Sequence, residues 1–400
     1  MYQKNFSRSP YPRNRADAAR RQNARFQSRG PNRQSINSAN YVSRPIGETI
    51  KEEYVAKNRF ADFLIVEELK QNILGRGYEV PTPIQDQTIP EILNGRDVVG
   101  IANTGSGKTA AFLIPIINKI IKNSFEKALI MVPTRELAAQ ISDELKSFSQ
   151  NIRLTKVLCI GGASMNQQVY ALRSNPNVII GTPGRLKDLI NRRLINMSQI
   201  KTVVLDEVDR MVDIGFIRDM EYILGLLPHE RQSLFFSATV SPQIAGIIKS
   251  FSNDPLTISV KTHETAANVE QDIIKVRDAG DKMEKLHAML RQEEFKKVLI
   301  FGRTKWGVEK LSNSLTQNGF LATSIHGNKS QGQRQRALME FKQNRLQILV
   351  ATDVAARGLD IEDVSHVINF DEPATYTDYV HRIGRTGRGN KLGKALTFVM

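Results

Sequence analysis

The run ANTGSGKT, residues 102–109, combines the groups needed to hold a polyphosphate. Gly105 and Gly107 let the backbone turn its N–H groups inward. Lys108 reaches toward β/γ-phosphates, and the Thr109 hydroxyl is available to Mg2+. Thr104 and Ser106 complete the loop. The run follows an apolar segment, Val98–Ile101, and opens a helical pattern, so a phosphate there meets a helix N-terminus with its positive partial charge. The spacing resembles a phosphate-binding loop with Ala102 in place of the first glycine. Further along, VVLDEVD ends an apolar run in three carboxylates, Asp206, Glu207 and Asp209. An Asp at a strand end is placed to hold Mg2+ through water, and an adjacent Glu to polarise the water that attacks a γ-phosphate. Groups of these types at this spacing suit hydrolysis of a nucleoside triphosphate.

For these groups to meet, the segments before them must lie side by side. Short β-branched runs at Val98–Ile101, Leu129–Val132, Val157–Ile160, Val178–Ile180, Val203–Leu205 and Leu234–Phe236 alternate with helical spacing, as in Glu136–Phe148 and Gly184–Ile190. Nearly continuous apolar strands joined by helical crossovers predict a parallel sheet covered on both faces. After a strand near Leu256–Val260 comes KTHETAANVEQ, polar and aperiodic, which reads as an interdomain linker. The alternation restarts at Val298–Phe301, Ala322–Ile325, Ile348–Val350, Val367–Phe370 and Ala395–Val399. The expected organisation is a tail over residues 1–50, a nucleoside-triphosphate-binding α/β domain over 51–260, a linker over 261–268 and a second α/β domain over 269–400. In open parallel sheets ligands bind beyond the carboxyl ends of the strands, and most of the polar motifs fall there.

The 400 residues carry 56 Lys+Arg against 41 Asp+Glu, a net charge of +15. Such an excess points to a polyanionic partner, a nucleic acid or an acidic membrane surface. It is unevenly placed: residues 1–45 hold ten Lys/Arg and the single acid Asp17, leaving +6 on the rest. That segment is rich in Arg, Asn, Gln and Ser, too poor in aliphatics to offset its ordering entropy, and reads as disordered. Tyr2, Phe6, Tyr11, Phe26 and Tyr41 interleave with its arginines, a composition suited to loose binding of single strands; a solubilising tail is the plainer reading. An organellar transit peptide would be a more amphipathic helix. The one cysteine, Cys159, excludes an intramolecular disulfide and argues against a thiolate metal site. No apolar stretch reaches the roughly 18–20 residues needed to span a bilayer, and no secretory leader opens the chain. A cytoplasmic protein with no membrane partner is the expectation.

Taken together, the motifs resemble those of the DEAD-box ATP-dependent RNA helicases of superfamily 2, over nearly all of residues 55–400. The resemblance implies two tandem RecA-like P-loop domains preceded by a disordered basic tail. Val208 stands where the family normally has Ala; it adds two methyl groups and removes no functional atom. GYEVPTPIQ is similar to the family's adenine-reading motif, with the Gln85 amide facing adenine and Phe60 as the upstream aromatic that packs on it. This implies ATP, with Mg2+, as the cofactor pair. PTRELA, Gly161–Gly162 and TPGR look like the family's RNA-backbone motifs in the first domain, carrying Arg135, Gly162, Thr182, Gly184 and Arg185. IFGRT, HGNKSQGQR and ATDVAARGLDI supply Thr304, Gly327, Gln331, Arg334 and Thr352 in the second. HRIGRTGRG implies arginine fingers at Arg385 and Arg388, and Asp360 would accept from the ATP ribose. In SAT, Ser237 and Thr239 would bridge Asp209 to His381.

The resemblance thus implies an RNA-stimulated ATPase, with Lys108, Glu207, Arg385 and Arg388 catalytic. Single-stranded RNA or a short duplex would be held by backbone contacts, and closure of the two domains would separate the strands. The rival readings are an ATP-gated RNA clamp or RNP-remodelling scaffold, and a DNA translocase. The core is expected to act as a monomer, with RNP, RNA-degradation or ribosome-assembly partners unspecified. Family members continue past TFVM with a further helix, so the second domain here is expected to lack it.

Overall fold

The computed structural model describes residues 41–42, 54–103, 105–260, 268–356, 361, 363–387 and 392–400. Two sheets organise them. The first contains β1 (Val98–Ala102), β2 (Ala128–Met131), β3 (Lys156–Cys159), β4 (Val178–Gly181), β5 (Thr202–Asp206), β6 (Gln232–Ser237) and β7 (Leu256–Val260). Their order across the sheet is β3-β4-β2-β5-β6-β1-β7. The second contains β8 (Val269–Lys275), β9 (Val298–Phe301), β10 (Ala322–Ile325), β11 (Ile348–Ala351), β12 (His366–Asn369) and β13 (Gly393–Val399), in the order β10-β11-β9-β12-β13-β8. Every strand pairing in both is parallel.

Alternation decides which core each strand residue enters, because successive side chains point to opposite faces. In β2, Ala128 and Ile130 join one apolar cluster and Leu129 and Met131 the other. In β9, Leu299 and Phe301 face one way and Val298 and Ile300 the other. Strands buried on both faces need continuous apolar runs, which is why ALIM, VIIG and VLIF carry no polar side chain.

In the first half, helices α1 (Glu67–Leu74), α2 (Pro83–Leu93), α3 (Lys108–Lys122), α4 (Arg135–Phe148), α5 (Met165–Arg173), α6 (Pro183–Asn191), α7 (Val208–Ile214), α8 (Ile217–Gly225) and α9 (Pro242–Phe251) flank the sheet. In the second, they are α10 (Ala279–Leu290), α11 (Lys305–Gln317), α12 (Gln331–Lys342), α13 (Asp353–Ala356) and α14 (Tyr376–Ile383). Several start at a motif hydroxyl that takes up an orphan N–H of the first turn. Thr134 Oγ1 accepts from Leu137 N at 3.3 Å, and Thr304 Oγ1 from Gly307 N at 3.0 Å.

The tail expected over residues 1–50 lies outside the described residues except Tyr41 and Val42. Tyr41 is buried in the second half's core, its ring 4.8 Å from that of Tyr379. Its composition-based grouping with the tail aromatics did not indicate this contact. The expected linker, apart from Asn268, also lies outside the described residues. Cys159 is free and fully buried, its thiol pushed up to about 12 by burial, as suits a packing residue.

Candidate active site and nucleic-acid interface

The loop after β1 wraps tightly. Gly107 sits at φ 93°, in the left-handed region open to glycine, and a Cβ there would lie 2.4 Å from Gln85 Nε2. Gln85 is buried. Its Nε2 donates to Gly107 O at 3.1 Å and its Oε1 accepts from Thr82 N at 2.9 Å. The amide expected to read adenine therefore also ties α2 to the phosphate loop. Gly105 shares the left-handed geometry, at φ 84°. Lys108 Nζ folds back onto the loop, donating to Ala102 O at 2.6 Å and Asn103 O at 3.2 Å. The buried Ser106 hydroxyl has no protein partner, the condition of a donor built for an anion. Thr109 lies in the first turn of α3, half-buried.

Phe60 requires a correction. The expectation was a ring packed on adenine, but Phe60 is fully buried by the protein itself, edge-on to Phe63 and Tyr78 at 5.5 and 5.7 Å. In this arrangement it closes the core beneath the site. The segment before it is stapled to α2 by Asp86, which accepts from Tyr54 Oη at 2.6 Å, Lys57 N at 2.8 Å, Asn58 N at 3.1 Å and Asn58 Nδ2 at 2.7 Å.

At the end of β5, two adjacent buried carboxylates are driven apart. Burial pushes Asp206 up to about 7, against the pull of the Lys108 charge. Burial would raise Glu207 as well, but Arg210, Lys108 and Arg385 outweigh it and hold that carboxyl below its ordinary value. Arg210 pairs directly with Glu207 Oε2. Glu207 has a left-handed backbone, φ 53° and ψ 53°, uncommon without glycine. An ionised base thus stands beside a carboxyl that a cation would help to ionise.

Asp209 is held by the SAT turn. Its Oδ2 accepts from Ala238 N and Thr239 N, each at 3.1 Å, and from Thr239 Oγ1 at 3.3 Å. Ser237 Oγ accepts from Asp209 N at 3.2 Å and donates to Thr239 O at 2.7 Å. Across from this turn, His381 and Arg385, at the end of α14, line one cavity of about 20 Å³ together with Lys108, Glu207, Asp209, Arg210 and Ala238. That is room for about one water. Groups from both sheets therefore meet at a single point.

The second meeting point is at the starts of α4 and α12. Arg334 Nη2 lies 2.7 Å from Glu136 Oε2, both side chains being buried. Arg334, expected to face RNA, is here an ion-pair partner between the two halves. Gln331, one turn earlier, is buried with neither amide atom partnered. Arg135 lies over Gly161–Gly162, where a Cβ on Gly162 would be 2.2 Å from its guanidinium. Thr182 is buried at the start of α6, Gly184 is open to solvent, and one buried nitrogen of Arg185, Nη1, has no partner. On the second sheet, Thr304, Gly327 and Thr352 follow β9, β10 and β11. Registers Ile325↔Ala351 and Ala351↔Phe301 put those three strand ends on one edge. Thr104, Asp360 and Arg388 lie outside the described residues.

The sequence reading did not single out Asp86, Glu136, Arg210, Asp353 or Arg382. Arg382 is buried and holds Asp353 through two bonds of 2.6 and 2.7 Å, while its Nη1 reaches Asn369 Oδ1 at 3.1 Å and Asp371 O at 2.6 Å. It fixes the helix that carries His381 and leads into the turn holding Arg385. The available signal was positional: each of these residues sits inside or next to a motif.

Comparison with known proteins decides the family. The DEAD/DEAH box helicase model matches residues 82–247, and the helicase conserved C-terminal domain model matches residues 281–390. The DEAD-box ATP-dependent RNA helicase CshA of Bacillus subtilis is 46% identical over 342 residues, 85% of this chain and 69% of that protein. This chain belongs to the DEAD-box ATP-dependent RNA helicases. Among solved structures, Mss116p bound to ssRNA and AMP-PNP is 29% identical and superimposes with a TM-score of 0.77, over 86% of this chain and 75% of that one. A DEAD box protein from Methanococcus jannaschii is 39% identical but superimposes at 0.50, over 85% and 93%. The helicase is thus an RNA-stimulated ATPase that uses ATP and binds RNA. Among its described residues no helix is long and apolar enough to cross a membrane.

Proposed function

We propose that this helicase hydrolyses ATP at the junction of its two sheets and uses the closed junction to bend and locally separate short RNA duplexes. The observation behind this is the convergence of Lys108, Glu207 and Asp209 with His381 and Arg385 on one cavity. The better superposition on the more distant chain, solved with ssRNA and a nucleotide, supports reading this arrangement as closed.

In this reading residues 51–260 bind ATP, 261–268 link and 269–400 complete the site. Lys108 exchanges the carbonyls of Ala102 and Asn103 for phosphate oxygens, and Ser106 gains the partner it lacks. Gln85, with Gly105, Gly107 and Thr104, frames the nucleotide; Asp360 takes the ribose. Thr109 and Asp206 would hold Mg2+, which takes few protein ligands alongside phosphates and supplies charge neutralisation there. The raised Asp206 carboxyl supports this reading, since a cation would offset its burial. Glu207, held ionised, orients the attacking water. Arg385, with Arg388, stabilises charge on the transferring phosphoryl group. Asp209, Ser237, Thr239 and His381 report closure to the site.

RNA lies along Arg135, Gly162, Thr182, Gly184 and Arg185, then Thr304, Gly327, Gln331 and Thr352, while the Arg334–Glu136 pair holds the two halves together beneath it. Contacts made mostly to phosphate carry little sequence preference. We place the protein in the cytoplasm as a monomeric motor, acting on RNA within larger ribonucleoprotein or RNA-processing assemblies.

The test is ATPase stimulation by RNA against single-stranded DNA, alongside displacement of a short RNA duplex. RNA-selective stimulation with displacement is expected, and Glu207→Gln should lower turnover by about 10²–10⁴. ATP-dependent retention of RNA without displacement would favour the clamp, and equal stimulation by DNA the translocase.

A further inference from the structure

The sequence has a single tryptophan, Trp306, and it is 83% exposed in the first turn of α11. We propose that Trp306 is a stacking platform for a nucleobase, so that RNA on the second sheet is gripped by a base as well as by phosphates. The inference rests on the helicase reading above.

Three observations support it. The first is place. Trp306 lies two residues after Thr304, at the carboxyl end of β9, on the edge shared with Gly327 and Thr352. The neighbouring Lys305 side chain passes 3.2 Å from where a Cβ on Gly327 would stand, so the first turn of α11 sits against that loop.

The second is charge. Residues 303–307 form an exposed run, Arg-Thr-Lys-Trp-Gly, with Lys310 exposed one turn on. The one acid of α11, Glu309, is engaged by Ser324, by His326 at 2.9 Å and by Lys329 at 3.4 Å. Asp371 accepts from Arg303 N at 2.8 Å and lies 3.6 Å from Lys282 Nζ. Glu309 and Asp371 are engaged, and although Glu372 beside Asp371 is exposed, Arg303, Lys305 and Lys310 leave the surface around the ring with an excess of positive charge, which suits a polyanion better than an acidic or neutral protein face.

The third is chemistry. A large indole left in water at a basic strand edge has the make-up of single-strand binding grooves, where bases stack on aromatics and cations track the backbone. Every base has a π-face, so the contact adds affinity without imposing sequence.

Because Trp306 is the sole tryptophan, its emission reports the contact directly. Titration of the full chain with a ten-nucleotide single-stranded RNA, in the presence of a non-hydrolysable ATP analogue, should quench and shift that emission. The same RNA carrying abasic sites should bind more weakly and leave the emission nearly unchanged. Trp306→Ala should weaken binding of the intact RNA by about 5- to 150-fold and Trp306→Phe by much less. The salt slope should hold in both, since no phosphate contact is removed. Unchanged emission on binding, or equal affinity for Trp306→Ala and the parent, overturns the proposal; a protein-docking role would give that result. Failure of RNA to stimulate ATPase in the parent chain would instead overturn the helicase reading itself.

Discussion

On the nucleotide side, most groups that would meet ATP are already held by the protein. Lys108 is bonded to loop carbonyls, Gln85 to Gly107 and Thr82, Asp209 to the SAT turn and Glu207 to Arg210. The RNA edge differs: Thr304, Gly327 and Trp306 are exposed, and Gln331 and Arg185 bury nitrogens without partners. The difference teaches how the two ligands enter. ATP exchanges internal bonds for its own, so its binding reorganises the site. RNA adds contacts to a surface already set by helix caps and strand ends.

Four changes would break or sharpen that contrast. Arg385→Ala should have the largest effect, lowering RNA-saturated turnover by about 10³–10⁵ with RNA binding largely kept, measured by steady-state ATPase and filter binding. Next is the ion pair between the halves. Glu136→Gln leaves Arg334 buried without its partner, a strongly destabilising change. The cost falls on the closed state, so the RNA concentration for half-maximal ATPase should rise about 10–100-fold. The double variant with Arg334→Gln should recover part of it, by removing the stranded charge.

The third effect is in pH. The Asp206 carboxyl is raised from an ordinary 3.8 to about 7, so between those values the folded chain binds a proton that the unfolded chain does not. Its contribution to stability therefore falls as pH rises through that window and is level above it. Without nucleotide and Mg2+, Asp206→Asn should melt higher than the parent near pH 7.5, with the gap narrowing toward pH 4. A constant gap would refute the raised carboxyl. Smallest is removal of residues 1–40, which spares buried Tyr41. It should lower RNA affinity several-fold and flatten its salt dependence, leaving RNA-saturated ATPase near the parent's. An unchanged slope would mean the tail does not touch RNA.

Most strands of both sheets were legible because parallel strands buried on two faces must be continuously apolar, and runs such as LIMV and VII stand out against polar helices. The edge strand β8 was not: VEQDIIK alternates buried with exposed residues, and its first three were read as linker. The phosphate loop and DEVD run were legible because their chemistry is local in sequence. Phe60 was misplaced because an aromatic that reads a base and one that fills a core look alike in sequence; its edge contacts with Phe63 and Tyr78 depend on residues three and eighteen positions away. Arg334 looked like a phosphate ligand because its partner, Glu136, lies nearly two hundred positions upstream in the other half.

By itself, then, the sequence determined the kind of reaction, the parallel α/β class and the members of each motif, since these depend on residue type and short spacing. Only the tertiary structure decided which charged groups are spent on one another. Asp206 and Glu207 are adjacent buried carboxylates with opposite shifts: burial raises Asp206, whereas at Glu207 the charges of Arg210, Lys108 and Arg385 outweigh burial. Burial and through-space charge act between groups that folding brings together, and neither can be read from spacing along the chain.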